Sequence, residues 1–231
     1  DKIVVSSRVR LARNLKGVPF PGHAKKQDRV RSYETLLPAV STIPQMGQTP
    51  FADSMDNLTQ LDKQLLVERH LISRELSAAK SGAGVVISRD QSFSVMLNEE
   101  DHLRIQILRA GLNLRKAWSA INDFDTALEE RLDFAFSPTL GYLTACPTNL
   151  GTGMRASAMM HLPALVITRQ IDKVFRSLHK ISLAVRGLYG EGSQAMGDFY
   201  QISNQTTLGR TEDELVQQVA DVVPVLIDYE R

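Results

Sequence analysis

The sequence predicts an α+β domain with a mainly antiparallel β-sheet flanked by helices, and three observations predict it. Two β-branched, apolar runs, residues 85–88 and 92–97, lie one short turn apart, so they pair antiparallel. Other segments, 58–76 among them, carry apolar residues at helical spacing. No internal repeat, low-complexity tract or linker divides the 231 residues, enough chain for one large core.

Taken in order, residues 3–11 read as a strand, Ile3-Val4-Val5-Ser6-Ser7, whose end carries arginines. Arg8 and Arg10 are two apart and share a face; the face of Arg13 depends on where the strand ends. Pro19, Pro21 and Gly22 break the chain. A helix is expected over 27–40, ending near Pro38, then a loop over 44–51. Leu58, Leu61, Leu65, Leu66 and Leu71 give 58–76 its helical spacing, with His70 as a face residue satisfied by neighbours. Residues 81–84 form a turn, and no Lys-Ser/Thr follows to make it a phosphate loop. Strands 85–88 and 92–97 pair about Arg89-Asp90-Gln91. Asn98 then caps a helix running over 100–120, with acids in its first turn. Trp118 packs on that helix, and 123–132 forms another. Strands are expected at 134–136, 140–145 and 182–185, with a helix at 171–178 between the last two. Met159 and Met160 read as core fillers within the apolar stretch 155–165. The last strand is 199–203, turned by Asn204 and Gln205. Thr211-Glu212-Asp213-Glu214 is a capping box opening a final helix over 215–229, with Pro224 as its kink point.

Composition narrows the function. A net charge of +1 gives no global electrostatic case for nucleic acid or a membrane surface, so any cationic site is local. One cysteine allows no internal disulfide, which fits a reducing compartment such as the cytoplasm. No run reaches the length of a membrane span, and the start has no signal-peptide pattern. The chain begins at Asp1 and stops inside a predicted helix, so it is expected to be a fragment of a longer protein.

Residues that could carry chemistry concentrate in four stretches. In the first, an apolar run ends at Asn98-Glu99-Glu100-Asp101-His102-Leu103-Arg104. Carboxylates at a buried margin need cations opposite them; the plain alternative is a solvated acidic turn. The second is Ser6-Ser7-Arg8-Val9-Arg10-Leu11-Ala12-Arg13-Asn14, whose Arg8 and Arg10 either blunt an edge strand or aim at one anion. The third runs from Cys146-Pro147-Thr148-Asn149 to Arg155-Ala156-Ser157, and the fourth is Val185-Arg186-Gly187 with Glu191 downstream. Arginine binds phosphate bidentately, which lysine cannot. The chain has no Walker loop, no His-Arg-Asp and no Asp-Phe-Gly, so the common lysine cradles for a nucleotide are absent. Any one arginine could be a surface ion pair worth little.

Together, in this order, the four stretches resemble the signature set of the phosphagen (guanidino) kinases, over nearly the whole chain. The resemblance implies that family's fold, a curved antiparallel sheet over the site with helices behind. It implies one catalytic domain over 1–231, lacking an N-terminal helical domain and a C-terminal extension. It implies ATP with Mg²⁺ as phosphoryl donor, no dedicated metal-binding side chains, and a guanidinium as acceptor. Arg8, Arg10, Arg104, Arg155 and Arg186 match the family's phosphate-binding arginines, Glu100 its catalytic carboxylate and Glu191 the partner across the acceptor. Glu99 and Asp101 are less defined, and Asp101 could hold the turn. Cys146 matches a reactive thiol that touches the guanidinium; beside arginines it would favour the thiolate. It is expected to support activity without forming a covalent intermediate, the plain alternative being a buried structural cysteine.

Ser88 and Met159 stand where many small-molecule enzymes of the family carry histidines on the nucleotide side, so adenosine contacts here must differ. The phrases Met160-His161-Leu162-Pro163-Ala164-Leu165, Thr168-Arg169-Gln170-Ile171 and Gln201-Ile202-Ser203-Asn204-Gln205 resemble the branch that phosphorylates arginine side chains on bacterial proteins. That branch implies exposed arginines of a stress repressor and of Clp protease clients as substrates, an activator protein, a homodimer among the open assemblies, and neither nucleic acid nor membrane. A kinase of free arginine or another guanidino compound is the first alternative. A silent module that binds nucleotide or phosphoarginine is the second.

Overall fold

Alternation along β1 (Val4–Arg13) sets the architecture. Val9 and Leu11 are fully buried on one face, while Arg8 and Arg10 turn to the other. The computed structural model describes residues 3–79, 81–187 and 196–231.

Around β1 the chain lays down β2 (Phe51–Ser54), β3 (Gly84–Ile87), β4 (Phe93–Leu97), β5 (Leu103–Ala110), β8 (Met154–His161), β9 (Leu183–Gly187) and β10 (Phe199–Asn204). They form an eight-stranded sheet in the order β2-β3-β4-β5-β1-β8-β10-β9, and every neighbouring pair is antiparallel. A separate hairpin joins β6 (Phe136–Ser137) to β7 (Gly141–Tyr142).

The sheet has two different faces. Helices α1 (Lys26–Ser41), α4 (Leu114–Glu129) and α7 (Glu212–Glu230) cover one, burying Ile105, Ile107, Phe124 and Val219 completely. Each such side chain contributes roughly 1.5–3 kcal/mol relative to solvent exposure. On the other face α2 (Gln60–Glu68) and α3 (Arg74–Ser77) cover β3 and β4 through Val85, Ile87, Met96 and Leu76. Strands β3 and β4 are therefore buried on both sides, whereas β5, β1 and β8 present a polar floor there. Two further helices, α5 (Pro163–Ile167) and α6 (Ile171–Lys180), lie between β8 and β9.

Several expectations hold. The 85–88/92–97 hairpin forms as β3 and β4, and the capping box forms at Thr211 and Glu214. Trp118 packs against the core on α4 and donates Nε1–H to Asp213 at 2.9 Å. Others are corrected. The helix expected over 100–120 is instead β5 followed by the first half of α4, and the separate helix at 123–132 is the second half of α4. Leu103, Ile105 and Ile107 alternate with Arg104 and Gln106, a period of two that buries one face only. Asn98 is not a helix cap. It adopts φ 56 at the start of the β4–β5 turn, with its amide nitrogen donating to Arg29 O at 2.8 Å and Gly82 O at 2.7 Å. The helix expected over 58–76 breaks into α2 and α3 at His70, whose φ of 57 no helix accommodates. The 44–51 loop contains a 3₁₀ turn, Pro44–Met46, and ends at the edge strand β2. The strands expected at 134–136 and 140–145 shrink to the two-residue β6 and β7. Helix α7 runs through Pro224 as one element.

Candidate active site

Register brings the predicted arginines together. On β1, Arg10 stands directly opposite Arg155 of β8, and Arg8 opposite Ser157. Arg104 of β5 pairs with Ala12, two beyond Arg10, and so shares its face. On β9, Arg186 pairs with Gln201, which in turn pairs with Met159 of β8, two strand steps from Ser157. All five guanidinium-bearing positions thus line one face of the sheet. Arg13, three residues beyond Arg10, points through to the other face and is not part of this group. It lies under α4, in an ion pair with Asp125 at 2.7 Å.

The cluster holds strongly concentrated positive charge. Burial, then the charges of Arg104, Arg155 and Arg186, pull Arg8 down to about 10. Burial and the neighbouring Arg8, Arg104 and Arg155 lower Arg10 well below its ordinary value, with Glu99 opposing them. Arginine does not give up its proton in practice; the shifts express a field that an anion would relieve. Arg104 differs. Burial would lower it, but Glu99, with smaller help from Glu75 and Glu100, raises it. Arg104 Nη1 donates to both Glu99 oxygens at 2.6 Å, and the Glu99 side chain is only 3% exposed. Ser73, the N-cap of α3, donates its hydroxyl to the same carboxylate. Glu99 is thus the internal counterion of Arg104, an assignment the sequence left open.

Glu100 comes next in the turn and is exposed to the cleft. Burial and its neighbours Asp101 and Glu99 raise its carboxyl above the ordinary range, against the pull of Arg104. Asp101 is buried and turns the other way. Its Oδ1 accepts from Asn14 Nδ2 at 2.6 Å and from the Ala145 backbone N–H at 2.7 Å. Cys146 follows Ala145 and is half-buried, its sulfur 3.0 Å from Thr148 Oγ1. Cys146 is thus not fully buried.

Glu100, Cys146, Arg10, Arg104, Arg155 and Arg186 line one cavity of about 710 Å³. A second cavity of about 880 Å³ shares Arg10, Arg104 and Arg186 with it and extends past Arg8 to α2. The arginines form the divide between the two, so one cleft has a carboxylate-and-thiol end and an end that runs to α2. A smaller hollow of about 370 Å³, lined by Arg8, His70, Met159 and Phe199 among others, opens beside Arg8. Met159 is thus at the site rather than in the core, because β8 puts it on the arginine face. Ser88 does not join it. It is 3% exposed in the β3–β4 turn, donating to Asp90 at 2.6 Å.

Residues 39–231 match the ATP:guanido phosphotransferase family, C-terminal catalytic domain. The chain belongs to this family. It is 49% identical to a protein-arginine kinase of Symbiobacterium thermophilum, covering 99% of this chain and 65% of that protein. It is 47% identical to a protein-arginine kinase of Halothermothrix orenii, with the same coverage of each. Among solved structures it resembles the duplicated taurocyamine kinase of Schistosoma mansoni with bound transition-state-analogue components, at TM-score 0.90 and 30% identity, covering 99% of this chain and 33% of that one. It also resembles lombricine kinase, at TM-score 0.87 and 27% identity, covering 99% and 66%. The chain spans about 65% of the length of the curated relatives it matches.

Within this guanido phosphotransferase domain, seven of the eight predicted site residues fall in one cleft. The eighth, Glu191, lies outside the described residues. Three polar residues shape the site in roles that the sequence did not assign, although Asn14 and Gln201 lie in the stretches singled out above. Gln201 accepts from Arg8 at 2.7 Å, Gln106 donates to His70 O at 2.7 Å, and Asn14 binds Asp101. For Gln106 a signal existed: two residues beyond Arg104, it shares that residue's face once the segment is read as a strand.

Proposed function

We propose that the domain transfers the γ-phosphoryl group of Mg-ATP to arginine side chains of proteins. The observation that carries the reading is the convergence of five arginines with Glu100 on one cleft. The arginines cradle the phosphates and neutralise charge on the transferring group. Mg²⁺ would be brought by the nucleotide rather than by side chains of this cleft, and would add to the charge neutralisation that the arginines supply. The donor set fits an ion delivered in this way, since arginines bind phosphate and repel a bare cation.

The acceptor guanidinium is held by carboxylate forks from Glu100 and, by sequence match, Glu191. Its nitrogen attacks the γ-phosphorus in line. The bond to the β–γ bridging oxygen breaks, ADP leaves with that electron pair, and a guanidinium proton passes to Glu100. A carboxyl raised by burial and by neighbouring acids accepts such a proton more readily. Alignment of this kind contributes up to about 7–11 kcal/mol to lowering the barrier. Cys146, at the same end of the cavity, contacts the acceptor and forms no covalent bond to phosphorus. By the same resemblance the domain acts in the bacterial cytoplasm, on a stress repressor and Clp clients, with an activator protein.

The likeness to lombricine and taurocyamine kinases favours a second reading, phosphorylation of a free guanidino compound. Casein and free arginine offered together with Mg-ATP separate the two. An acid-labile mass gain on casein arginines is expected; phosphorylation of free arginine alone would replace the first reading with the second. Turnover of neither would leave a binding module. Glu100→Gln should lower the rate by roughly 10²–10⁴-fold with nucleotide binding retained. An unchanged rate would remove Glu100 from the mechanism.

A further inference from the structure

Asn14, Asp101 and the segment 143–146 form a buried knot beside the cleft. Asn14 is 1% exposed and Asp101 4%. Asn14 Nδ2 donates to Asp101 Oδ1 at 2.6 Å and to Leu143 O at 3.0 Å, while its Oδ1 accepts from the His102 backbone N–H at 2.9 Å. Asp101 Oδ1 also accepts from Ala145 N at 2.7 Å. Three distant pieces of chain meet here: the end of β1, the β4–β5 turn and the strand-free stretch before Cys146. Two knot residues adjoin ones that face the cleft, and the third follows the strand that carries Arg10. Asp101 follows Glu100, Ala145 precedes Cys146, and Asn14 lies four residues beyond Arg10 on the same run.

Neither Glu100 nor the 143–146 stretch belongs to the eight-stranded sheet; Leu143 N donates to Ala135 O at 2.8 Å beside the β6–β7 hairpin, Cys146 O accepts from Thr144 Oγ1 at 2.8 Å, and Ala145 N is held by Asp101. Arg8, Arg10, Arg104 and Arg155 sit in strands and are fixed by the sheet ladder. The two ends of the cleft are therefore held by different means. We propose that Asn14 and Asp101 are positioning residues that hold Glu100 in register with the Cys146 segment, at the acceptor end alone. The proposal rests on the arginine-kinase reading above. It predicts a split: loosening the knot should damage catalysis and acceptor binding and spare the nucleotide.

Charge gives a second readout. The ionisable groups bearing on Glu100 are Asp101 and Glu99, with Arg104 opposing them and Glu75 adding a smaller push; Arg10, Arg155, Arg186, Cys146 and His179 line the same cavity. Asp101→Asn keeps an oxygen for Ala145 N and Asn14 and removes one negative charge next to Glu100. Because Asp101 raises the Glu100 carboxyl, its loss should lower it. The acid limb of the kcat–pH profile should then move to lower pH.

The test uses the full chain with casein and Mg-ATP, scored as acid-labile phosphoarginine, and wild-type activity is established first. Without it, the arginine-kinase reading fails before the knot is tested. With an active wild type, Asn14→Ala and Asp101→Ala should each lower kcat by about 10²-fold, as expected for a misplacement near 1 Å. The KM for ATP should stay within about twofold. Folded alanine variants with wild-type kcat would overturn the proposal. So would an ATP KM rising in step with the fall in kcat, which marks general loosening. Should the alanine variants fail to fold, Asp101→Asn decides. A profile moved to lower pH supports the proposal, and an unmoved one overturns it.

Discussion

Strand β1 carries arginines to two regions with opposite electrostatics. Arg13 is 1% exposed and answered on every side. Its Nε donates to both Asp125 oxygens at 3.1 Å and its Nη2 to Asp125 Oδ2 at 2.7 Å. Its Nη1 donates to Ala12 O and Thr152 O at 2.9 Å, and the guanidinium carbon lies 3.5 Å from the centre of the Tyr142 ring. Gly153 completes the fit: at φ +64, a Cβ there would come within 2.6 Å of Ala12 O and 2.8 Å of Arg13 Nη1. Three residues earlier, Arg10 faces Arg155 and feels Arg8 and Arg104 as well. The same side chain is thus a structural bolt where the chain supplies its counterion. Where the chain gathers like charges around it, as at Arg10, it adds to a concentrated positive field.

The widest separation between the two regions should appear in stability. Arg13→Met leaves the Asp125 carboxylate buried and unpaired, and urea unfolding should show a loss of about 3–5 kcal/mol. A loss under about 1 kcal/mol would mean that the bolt is not one. The open region should respond to anions instead. Mg-ATP, or tripolyphosphate alone, at a hundred times its Kd should stabilise the protein by about 2.7 kcal/mol, and Arg10→Gln or Arg155→Gln should abolish the effect. A melting temperature indifferent to tripolyphosphate would sink the idea of a phosphate cradle. The smallest effect is the most discriminating. Without ligand, Arg10→Gln removes repulsion and should leave stability unchanged or raised by up to about 1 kcal/mol. A loss above about 2 kcal/mol would show that Arg10, like Arg13, is needed by the fold.

Local pattern made the arginine pair Arg8/Arg10 legible, because a two-residue period on a strand fixes a shared face. The β3–β4 hairpin and the α7 capping box were legible for the same reason, being short-range chemistry. Residues 100–120 were not, because the leucines and isoleucines there satisfy both periods. Deciding between them needs the strands β4 and β1 that pair with β5 and the helix α4 that buries one of its faces. The roles of Glu99 and Asp101 were equally hidden. Adjacent acids look alike in sequence, and only the turn geometry sends one to Arg104, one to the cleft and one to Asn14. Arg13 and Asp125 are 112 residues apart, and no local rule pairs them.

The central place of β1 also governs how the domain assembles. Its contacts are far away in sequence: Ser7 binds Gly111 across 104 residues, and Ser157 binds the Arg8 carbonyl across 149. Closing loops of that size is entropically slow, which puts such topologies at the millisecond-to-second end of folding rates. During synthesis β1 must wait, unpaired, until β5 and then β8 have been made. Until it docks, β2–β5 and β8–β10 are two separate sheets, each with an open edge of the kind that invites aggregation. Arg8 and Arg10 lie on the strand that joins the two halves, so the arginine cluster is complete only when β1 is paired on both edges.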